Sequence, residues 1–437
     1  MNRKFKLSGG KKKVEDLNLQ YDISTYDKTY EMPLHVFKYV AIRLTRKDGP
    51  IAKILYDAFY WFEFLNLITA STVEFLSMLK TATGGSFQDA VAIFLMLPCI
   101  GYVILGKVKS FNIVYHRDVY ENIVWELRDM WPTRTLTREE HNIISAALKQ
   151  HRTVLRIYYW CNNVLLLTFY VPPMIGSLRK YAGIDIQYHL PFLYWLPYDA
   201  FQPGFYEVTC IFQMWHGFLT VWLMMTGDLM FCTFITHITM QFDLLSIRIH
   251  KFIYVPIDQQ LPSSFPLAVY SDEIRKDFET SNKALEKELR EIMDRQRALI
   301  RLSADLEEMC SFALFVNFFN SSIILCFCGF CAVIVEKWNE VIYKSFLVTA
   351  LLQTWMICWY GQRLLESSTD VSHALYKSGW YRASSKIKRS ILIMIHRAQK
   401  EVHVTTYGFS IVSLSSYSAI IRTSWSYFTL LLNVYKK

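Results

Sequence analysis

The longest apolar stretch of the chain, residues 206–238, reads YEVTCIFQMWHGFLTVWLMMTGDLMFCTFITHI. It contains two acidic residues, Glu207 and Asp228, and no Lys or Arg. A helix needs about 20 apolar residues to cross a hydrocarbon core of about 30 Å, so this stretch is long enough to span a membrane. It therefore predicts a transmembrane helix.

Further apolar stretches lie on both sides of it, and together they predict seven transmembrane helices, at residues 54–79, 87–108, 154–176, 206–238, 310–335, 343–361 and 409–433. The whole chain is 52% hydrophobic and 19% charged, whereas a soluble domain carries roughly 25% charged residues. The mean hydropathy of +0.17 averages these spans with charged loops. The composition predicts an all-α polytopic membrane protein and excludes disordered and fibrous chains.

The basic residues are concentrated on one side of the predicted membrane. Of the 47 Lys and Arg, 37 fall in residues 1–53, 109–153, 239–309 and 362–408, and 7 fall on the opposite side. Loops rich in Lys and Arg stay in the cytoplasm, so we expect a cytoplasmic N-terminus and an extracellular C-terminus. The first apolar run begins only at residue 54, so we expect no cleaved signal peptide.

Two cytoplasmic stretches have the pattern of amphipathic helices. Residues 271–310 place Leu285, Leu289 and Ile292 on one stripe and should continue into the fifth span, while residues 366–400 place Trp380 among basic residues. Such helices can lie flat on lipid, or they can pack against each other and against a neighbouring subunit. The second interpretation is favoured, because acidic residues such as Glu286 are unfavourable on an anionic membrane.

No catalytic signature occurs, so the sequence argues against an enzyme, and we expect neither a cofactor nor a metal. The cysteines lie in or beside apolar stretches; Cys326, Cys328 and Cys331 would point in different directions on a helix. No basic stripe alternates with aromatic residues, so a nucleic-acid partner is not expected. His216 and His237 are predicted to form interhelical hydrogen bonds.

Asp228 is an ionisable residue within the fourth span. A charge there cannot face lipid, so it indicates either a functional site or a structural partner buried between helices. Both interpretations remain open at the level of sequence.

The last span carries many hydroxyl side chains, which would be poor partners for lipid. Residues spaced three or four positions apart lie on the same side of a helix. In the last span one such face consists of Val412, Ser416, Ala419, Thr423, Tyr427, Leu430 and Val434. That face suits the lining of a water-filled pore with an apolar constriction at one end. A central helix in a monomeric bundle would have a similar composition.

Two short motifs carry a resemblance that extends over essentially the whole chain. Residues 426–431, SYFTLL, and residues 375–381, LYKSGWY, resemble the signature of the insect odorant receptors. Residues 194–199, YWLPYD, and 227–231, GDLMF, further resemble the moth sex-pheromone receptor branch.

The resemblance implies a ligand-gated, non-selective cation channel in the plasma membrane of sensory neurons, working as a heterotetramer with the odorant co-receptor. The chain lacks the long cytoplasmic insertion of the co-receptor and would be the ligand-tuning subunit. Leu430, Asn433 and Val434 would form the gate, and Ser416, Ala419, Thr423 and Tyr427 the pore lining. Leu285, Leu289, Ile292 and Trp380 would belong to a cytoplasmic anchor between subunits.

The resemblance also implies a pocket in the outer halves of spans two, three, four and six for a hydrophobic volatile, such as a long-chain fatty-alcohol derivative. An odorant-binding protein would be a further partner. The pocket residues implied are Phe94, Met96, Phe169, Met174, Phe212, Met214, Trp215, Phe346, Thr349 and Gln353. The chain then divides into a cytoplasmic segment (1–53), a ligand-binding bundle (54–238), a loop with an anchor helix (239–309), spans five and six (310–361), a second anchor helix (362–408) and a pore-lining span with a short tail (409–437).

Three other classes compete with this interpretation. A G-protein-coupled receptor for a lipid ligand would need an extracellular N-terminus, which the charge distribution opposes. A secondary transporter would show two matching broken helices, and no such pair is found. A gustatory-type receptor channel would share the fold.

Overall fold

The computed structural model describes residues 20–44, 50–84, 87–182, 190–202, 204–252, 272–334 and 338–435. In these ranges the protein consists of helices: α1 (Ile23–Thr29), α2 (Glu31–Tyr39), α3 (Pro50–Ala82), α4 (Phe87–Tyr115), α5 (Arg117–Asp129), α6 (Arg138–Tyr181), α7 (Phe205–Phe252), α8 (Asp272–Ile334), α9 (Trp338–Lys377), α10 (Ser385–Ala398) and α11 (Leu414–Tyr435). The predicted all-α class is confirmed. The predictions for residues 1–19 and 253–271 lie outside the described residues.

Among the described residues, six helices are long and apolar enough to cross a membrane, namely α3, α4, α6, α7, α8 and α9. They contain the first six predicted spans except for residue 335, which lies outside the described residues. The last span is more polar and its helix begins at Leu414 rather than at residue 409. The preceding residues turn back on themselves instead, since the Val412 N–H donates to the Val404 carbonyl over 2.9 Å. Tyr407 and Gly408 adopt the positive φ values that this turn requires.

Helices α6 to α9 are much longer than a membrane is thick. The shortest of them, α9, has 40 residues, which at 1.5 Å per residue corresponds to about 60 Å. Since α6 and α8 cross in the opposite direction to α7 and α9, their extensions meet on one side, the side predicted to be cytoplasmic. Helix α8 is unbroken from Asp272 to Ile334, so the amphipathic stretch continues directly into the fifth span, as predicted.

The second anchor stretch is not one helix, which corrects the prediction of a continuous helix through residues 362–408. Helix α9 ends at Lys377, a short 3-10 turn covers Trp380–Arg382, and α10 starts at Ser385. The Ser378 hydroxyl bonds the Leu375 carbonyl over 2.7 Å, and Gly379 follows. Serine hydroxyls that bond their own helix and glycine both disfavour continuation, so the chain turns and α10 packs back on α9.

Helix α7 lies at the centre of the bundle, where it packs against α4, α6, α8 and α9. Nearly every side chain from Leu219 to Phe242 is buried. A helix that is apolar on all faces fits only such a central position. Helix α3 is peripheral and exposes large apolar residues such as Ile51, Phe62 and Leu65, as expected of a surface that faces lipid.

The short helices α1 and α2 cover the extension of α7. The rings of Tyr26 and Tyr30 pack around His237 at centroid distances of 4.7 and 5.6 Å. Thr29 Oγ1 lies 2.8 Å from His237 Nε2, so the predicted hydrogen bond of His237 to another helix is present. Burial raises the pKa of both tyrosines above the ordinary value, which keeps them neutral in this packed cluster.

Candidate functional site

A cavity of about 40 Å³ lies among five helices of the bundle. One water needs roughly 10–15 Å³ by this measure, so the cavity has room for a few waters rather than for a long ligand. Its wall is mostly apolar and aromatic: Glu74 of α3; Cys99, Tyr102 and Val103 of α4; Leu165, Leu166 and Phe169 of α6; His216, Gly217, Thr220 and Val221 of α7; Phe346 of α9; and Phe192 and Tyr194 between α6 and α7.

The segment of residues 190–202 is held against the cavity by hydrogen bonds. The Gln213 side chain accepts from the Phe192 N–H over 2.9 Å and donates to the Phe192 carbonyl over 3.1 Å. The Trp195 N–H donates to the Val73 carbonyl over 3.4 Å, next to Glu74. Gly217 allows the ring of Phe192 to approach α7, because an added Cβ would lie 3.1 Å from that ring. The segment is therefore part of the cavity wall.

Aromatic rings form one continuous side of the cavity. Phe346 meets Tyr102 edge-on at a centroid distance of 4.4 Å and Phe169 at 6.0 Å. Phe169 in turn stacks on Phe192 at 5.3 Å. Four separate chain segments thus contribute rings to a wall against which an apolar ligand would bury its surface.

The cavity is lined by helices that contain the second, third, fourth and sixth predicted spans, but most of the predicted pocket residues do not line it. Phe169 and Phe346 do. Met174, Phe212 and Trp215 are exposed on the bundle surface, and Met214 is half-buried. Met96 is buried, and Phe94 packs on Phe327 and Phe330. Thr349 and Gln353 are buried on α9 beyond Phe346 and are not part of the cavity lining.

Several lining residues were missed by the sequence analysis. Glu74 is an acidic residue inside the first predicted span. Its position in a span is the same signal that makes Asp228 a candidate in the fourth span. The predicted interhelical hydrogen bond of His216 is wrong. Both of its ring nitrogens are buried and have no hydrogen-bond partner among the described residues. Phe192 and Tyr194 lie in a loop, where helical periodicity gives no information.

Asp228 is the centre of a buried polar network that joins several helices. Its Oδ1 lies 2.5 Å from Lys109 Nζ of α4, and both side chains are at most 4% exposed. Its Oδ2 accepts from Tyr158 Oη of α6 over 2.7 Å and from Gln353 Nε2 of α9 over 2.9 Å. These contacts favour a structural role. Lys109 was counted among the cytoplasmic loop charges, and its burial in the bundle corrects that count by one.

The predicted pore face lies on the exposed side of α11. Tyr427 and Leu430 are each 60% exposed and Val434 is 66% exposed. Ala419, Thr423 and Asn433 are also exposed, and Ser416 is half-buried. Val412 departs from the predicted face, since it is buried and precedes the helix.

Helix α11 is attached to the bundle through α8 and α9. Ser424 Oγ donates to the Ser322 carbonyl over 3.2 Å, and Phe428 packs against Gly329. At the start of α11, Gly361 of α9 lies so close to the Val412 backbone that a Cβ at this position would overlap it. The opposite face of α11, which includes Tyr427 and Leu430, is exposed.

The predicted anchor residues pack mainly within the protomer. Leu289 and Ile292 are buried in the hydrophobic core, Leu285 is half-buried against it, and Trp380 lies in the turn after α9. Glu286 pairs with Lys386 of α10 over 2.7 Å, and Glu291 pairs with Arg248 of α7 over 2.6 Å. The two amphipathic stretches therefore pack against each other and the bundle, and Leu289 and Ile292 are not surface residues available to a partner.

Comparison with known proteins identifies the family. The profile of the 7tm Odorant receptor family matches residues 90–425. Odorant receptor 85b of Drosophila melanogaster is 23% identical, covering 89% of this chain and 94% of that protein. Putative odorant receptor 85d of the same species is 25% identical and covers 94% and 96%.

The fold is that of a solved member. The insect olfactory receptor OR5 from Machilis hrabei, determined in complex with eugenol, superposes with a TM-score of 0.76. The match covers 95% of this chain and all of that one at 15% identity. The chain therefore belongs to the 7tm odorant receptor family.

Proposed function

We propose that the chain is the ligand-tuning subunit of a ligand-gated, non-selective cation channel formed with the odorant co-receptor. As a family member it is a multi-pass receptor of the sensory-neuron plasma membrane and not an enzyme. The observation that carries the proposal is the aromatic cavity inside the bundle, lined by Phe169, Phe192 and Phe346. A mainly apolar cavity with few polar groups is typical of a small-molecule site.

The wall of the cavity supports a hydrophobic class of ligand. Aromatic and aliphatic side chains stabilise alkyl groups by about 0.8 kcal/mol per buried CH₂. We propose a hydrophobic volatile, such as a fatty-alcohol derivative of the kind sensed by pheromone receptors, delivered by an odorant-binding protein. Because the cavity measures only about 40 Å³, a long-chain ligand displaces wall side chains when it binds.

The exposed face of α11 supports the channel part of the proposal. Thr423 and Tyr427 place polar groups along this face, and Leu430 and Val434 make its end apolar. Four such helices around one axis, contributed by this chain and the co-receptor, would enclose a pore with an apolar gate.

Ligand recognition is tested by currents in cells that express the chain together with an odorant co-receptor. We expect volatile fatty-alcohol derivatives to evoke cation current, and Phe346→Leu to shift the half-maximal concentration about tenfold or change the rank order of ligands, because its ring forms part of the cavity wall. Phe62→Leu, on the exposed side of α3, is the matched control and should behave like the parent. Equal shifts for both variants would contradict a site at this cavity.

The proposed orientation has its own test. An epitope tag after Lys437 should be labelled on intact cells, and a tag before Met1 should be labelled only after permeabilisation, because the basic loops remain in the cytoplasm. Labelling of the N-terminal tag on intact cells would instead indicate the orientation of a G-protein-coupled receptor.

A further inference from the structure

Three polar side chains in the cavity wall lack a partner among the described residues. Tyr102 Oη and both ring nitrogens of His216 are buried and make no hydrogen bond. The Glu74 carboxyl, on a residue 3% exposed, makes no hydrogen bond or ion pair with a described residue. These residues come from α4, α7 and α3, and all three border the same small space.

Such groups are costly unless something pairs with them. A buried donor or acceptor without a partner loses its hydration and gains nothing in return, and folded proteins contain few of them. Thr220 and Tyr194 add two hydroxyl groups and the rest of the wall is largely apolar, so these few polar groups can orient a ligand in the cavity. The Tyr102 ring also contacts the Phe346 ring, so the polar groups lie next to the aromatic side of the cavity.

We propose that the cavity recognises an aliphatic alcohol through its hydroxyl group, with Tyr102 and His216 donating to the ligand oxygen and Glu74 accepting its proton in a hydrogen bond. This inference rests on the proposed function and specifies its ligand. A tyrosine hydroxyl and one nitrogen of a neutral imidazole are donors, and the carbonyl oxygen of a carboxyl group accepts. A hydroxyl group serves both kinds of partner, whereas the carbonyl of an aldehyde or an ester only accepts and leaves the carbonyl oxygen of Glu74 without a donor.

The alkyl chain of the ligand then lies along the rings. Phe169, Phe192 and Phe346 form the apolar side of the same cavity. The polar groups then select the head group of the ligand, and the rings select its alkyl chain. A site that hydrogen-bonds a hydroxyl group discriminates against analogues that lack it.

The test compares ligands of one chain length that differ only in the head group: the alcohol, the aldehyde, the acetate and the methyl ether. With the co-receptor present, we expect the alcohol to be about tenfold more potent than the others. Glu74→Leu should lower the potency of the alcohol about tenfold and leave the methyl ether, which has no proton to donate, unchanged. Tyr102→Phe, which keeps the ring, should also lower the potency of the alcohol.

Tyr115→Phe, on the same helix α4 but exposed, is the matched control and should respond like the parent. Surface labelling is used to compare the variants at equal surface expression. If one of the two cavity variants does not reach the surface, the other is sufficient to test the proposal. The assignment of the head group is overturned if the potency of the alcohol is unchanged in these variants, or if an aldehyde or acetate is as potent as the alcohol in the parent. Either result leaves the proposed channel function intact. Absence of current with every ligand class overturns the proposed function together with it.

Discussion

Asp228→Asn is expected to remove most of the protein from the cell surface. The change leaves the Lys109 ammonium group buried at 4% exposure without its counter-ion. Breaking a buried ion pair by removing one partner costs about 3–5 kcal/mol, because the remaining charge is not compensated. Surface labelling and thermal unfolding of the solubilised protein measure the loss.

Two further variants separate the ion pair from other effects of the substitution. The double variant Lys109→Met with Asp228→Asn should recover surface expression, since neutral side chains replace the pair without leaving a charge. Asp57→Asn breaks the partly exposed pair with Arg117 and should cost about 1 kcal/mol or less. Parental expression of Asp228→Asn alone would contradict a structural role, and a double variant that reaches the surface without responding to ligand would assign Asp228 a role in gating.

Leu430→Asn is expected to raise the current that flows without ligand. Leu430 lies on the exposed, apolar end of α11, and a dry apolar ring blocks ions because nothing there replaces their hydration shell. An amide at this position supplies polar groups to water and ions. Basal conductance at matched surface expression measures the leak, which should grow severalfold when the corresponding co-receptor position is changed as well.

Asn433 provides the control for this experiment. It is exposed on the same end of α11 and is already polar, so Asn433→Ser should alter ion selectivity more than resting leak. If Leu430→Asn leaves basal current and selectivity at parental values even with the co-receptor changed, α11 does not form the gate.

The sequence predicts the helices well because transmembrane spans are determined by composition over about 20 residues. The start of α11 was placed five residues too early, since residues 409–413 are as rich in hydroxyl groups as the helix that follows. The break between α9 and α10 was missed because the apolar periodicity continues through it from Leu375 to Ile387, both of which are buried.

The sequence predicts most of the helices that surround the candidate site, but it does not predict which of their residues line it. Periodicity identifies a face, but it does not indicate which neighbour the face meets, so the predicted pocket includes Met174 and Phe212, which do not line the cavity. Lys109 was separated from Asp228 by 119 positions, and only the packing of α4 on α7 brings the pair together. The contribution of residues 190–202 depends on the Gln213 hydrogen bonds, which no local pattern reveals.

Helix α9 contacts both the cavity and the start of the pore helix. Phe346 forms part of the cavity wall, and Gly361, about four turns further along, rests against the Val412 backbone immediately before α11. If ligand binding displaces α9 at the cavity, we expect the displacement to reach the start of α11 as well, and coupling of this kind is reciprocal. A substitution that holds the gate open should tighten ligand binding by the same factor by which the ligand favours opening, so affinity measured on a leaky variant reports the energy that α9 transmits.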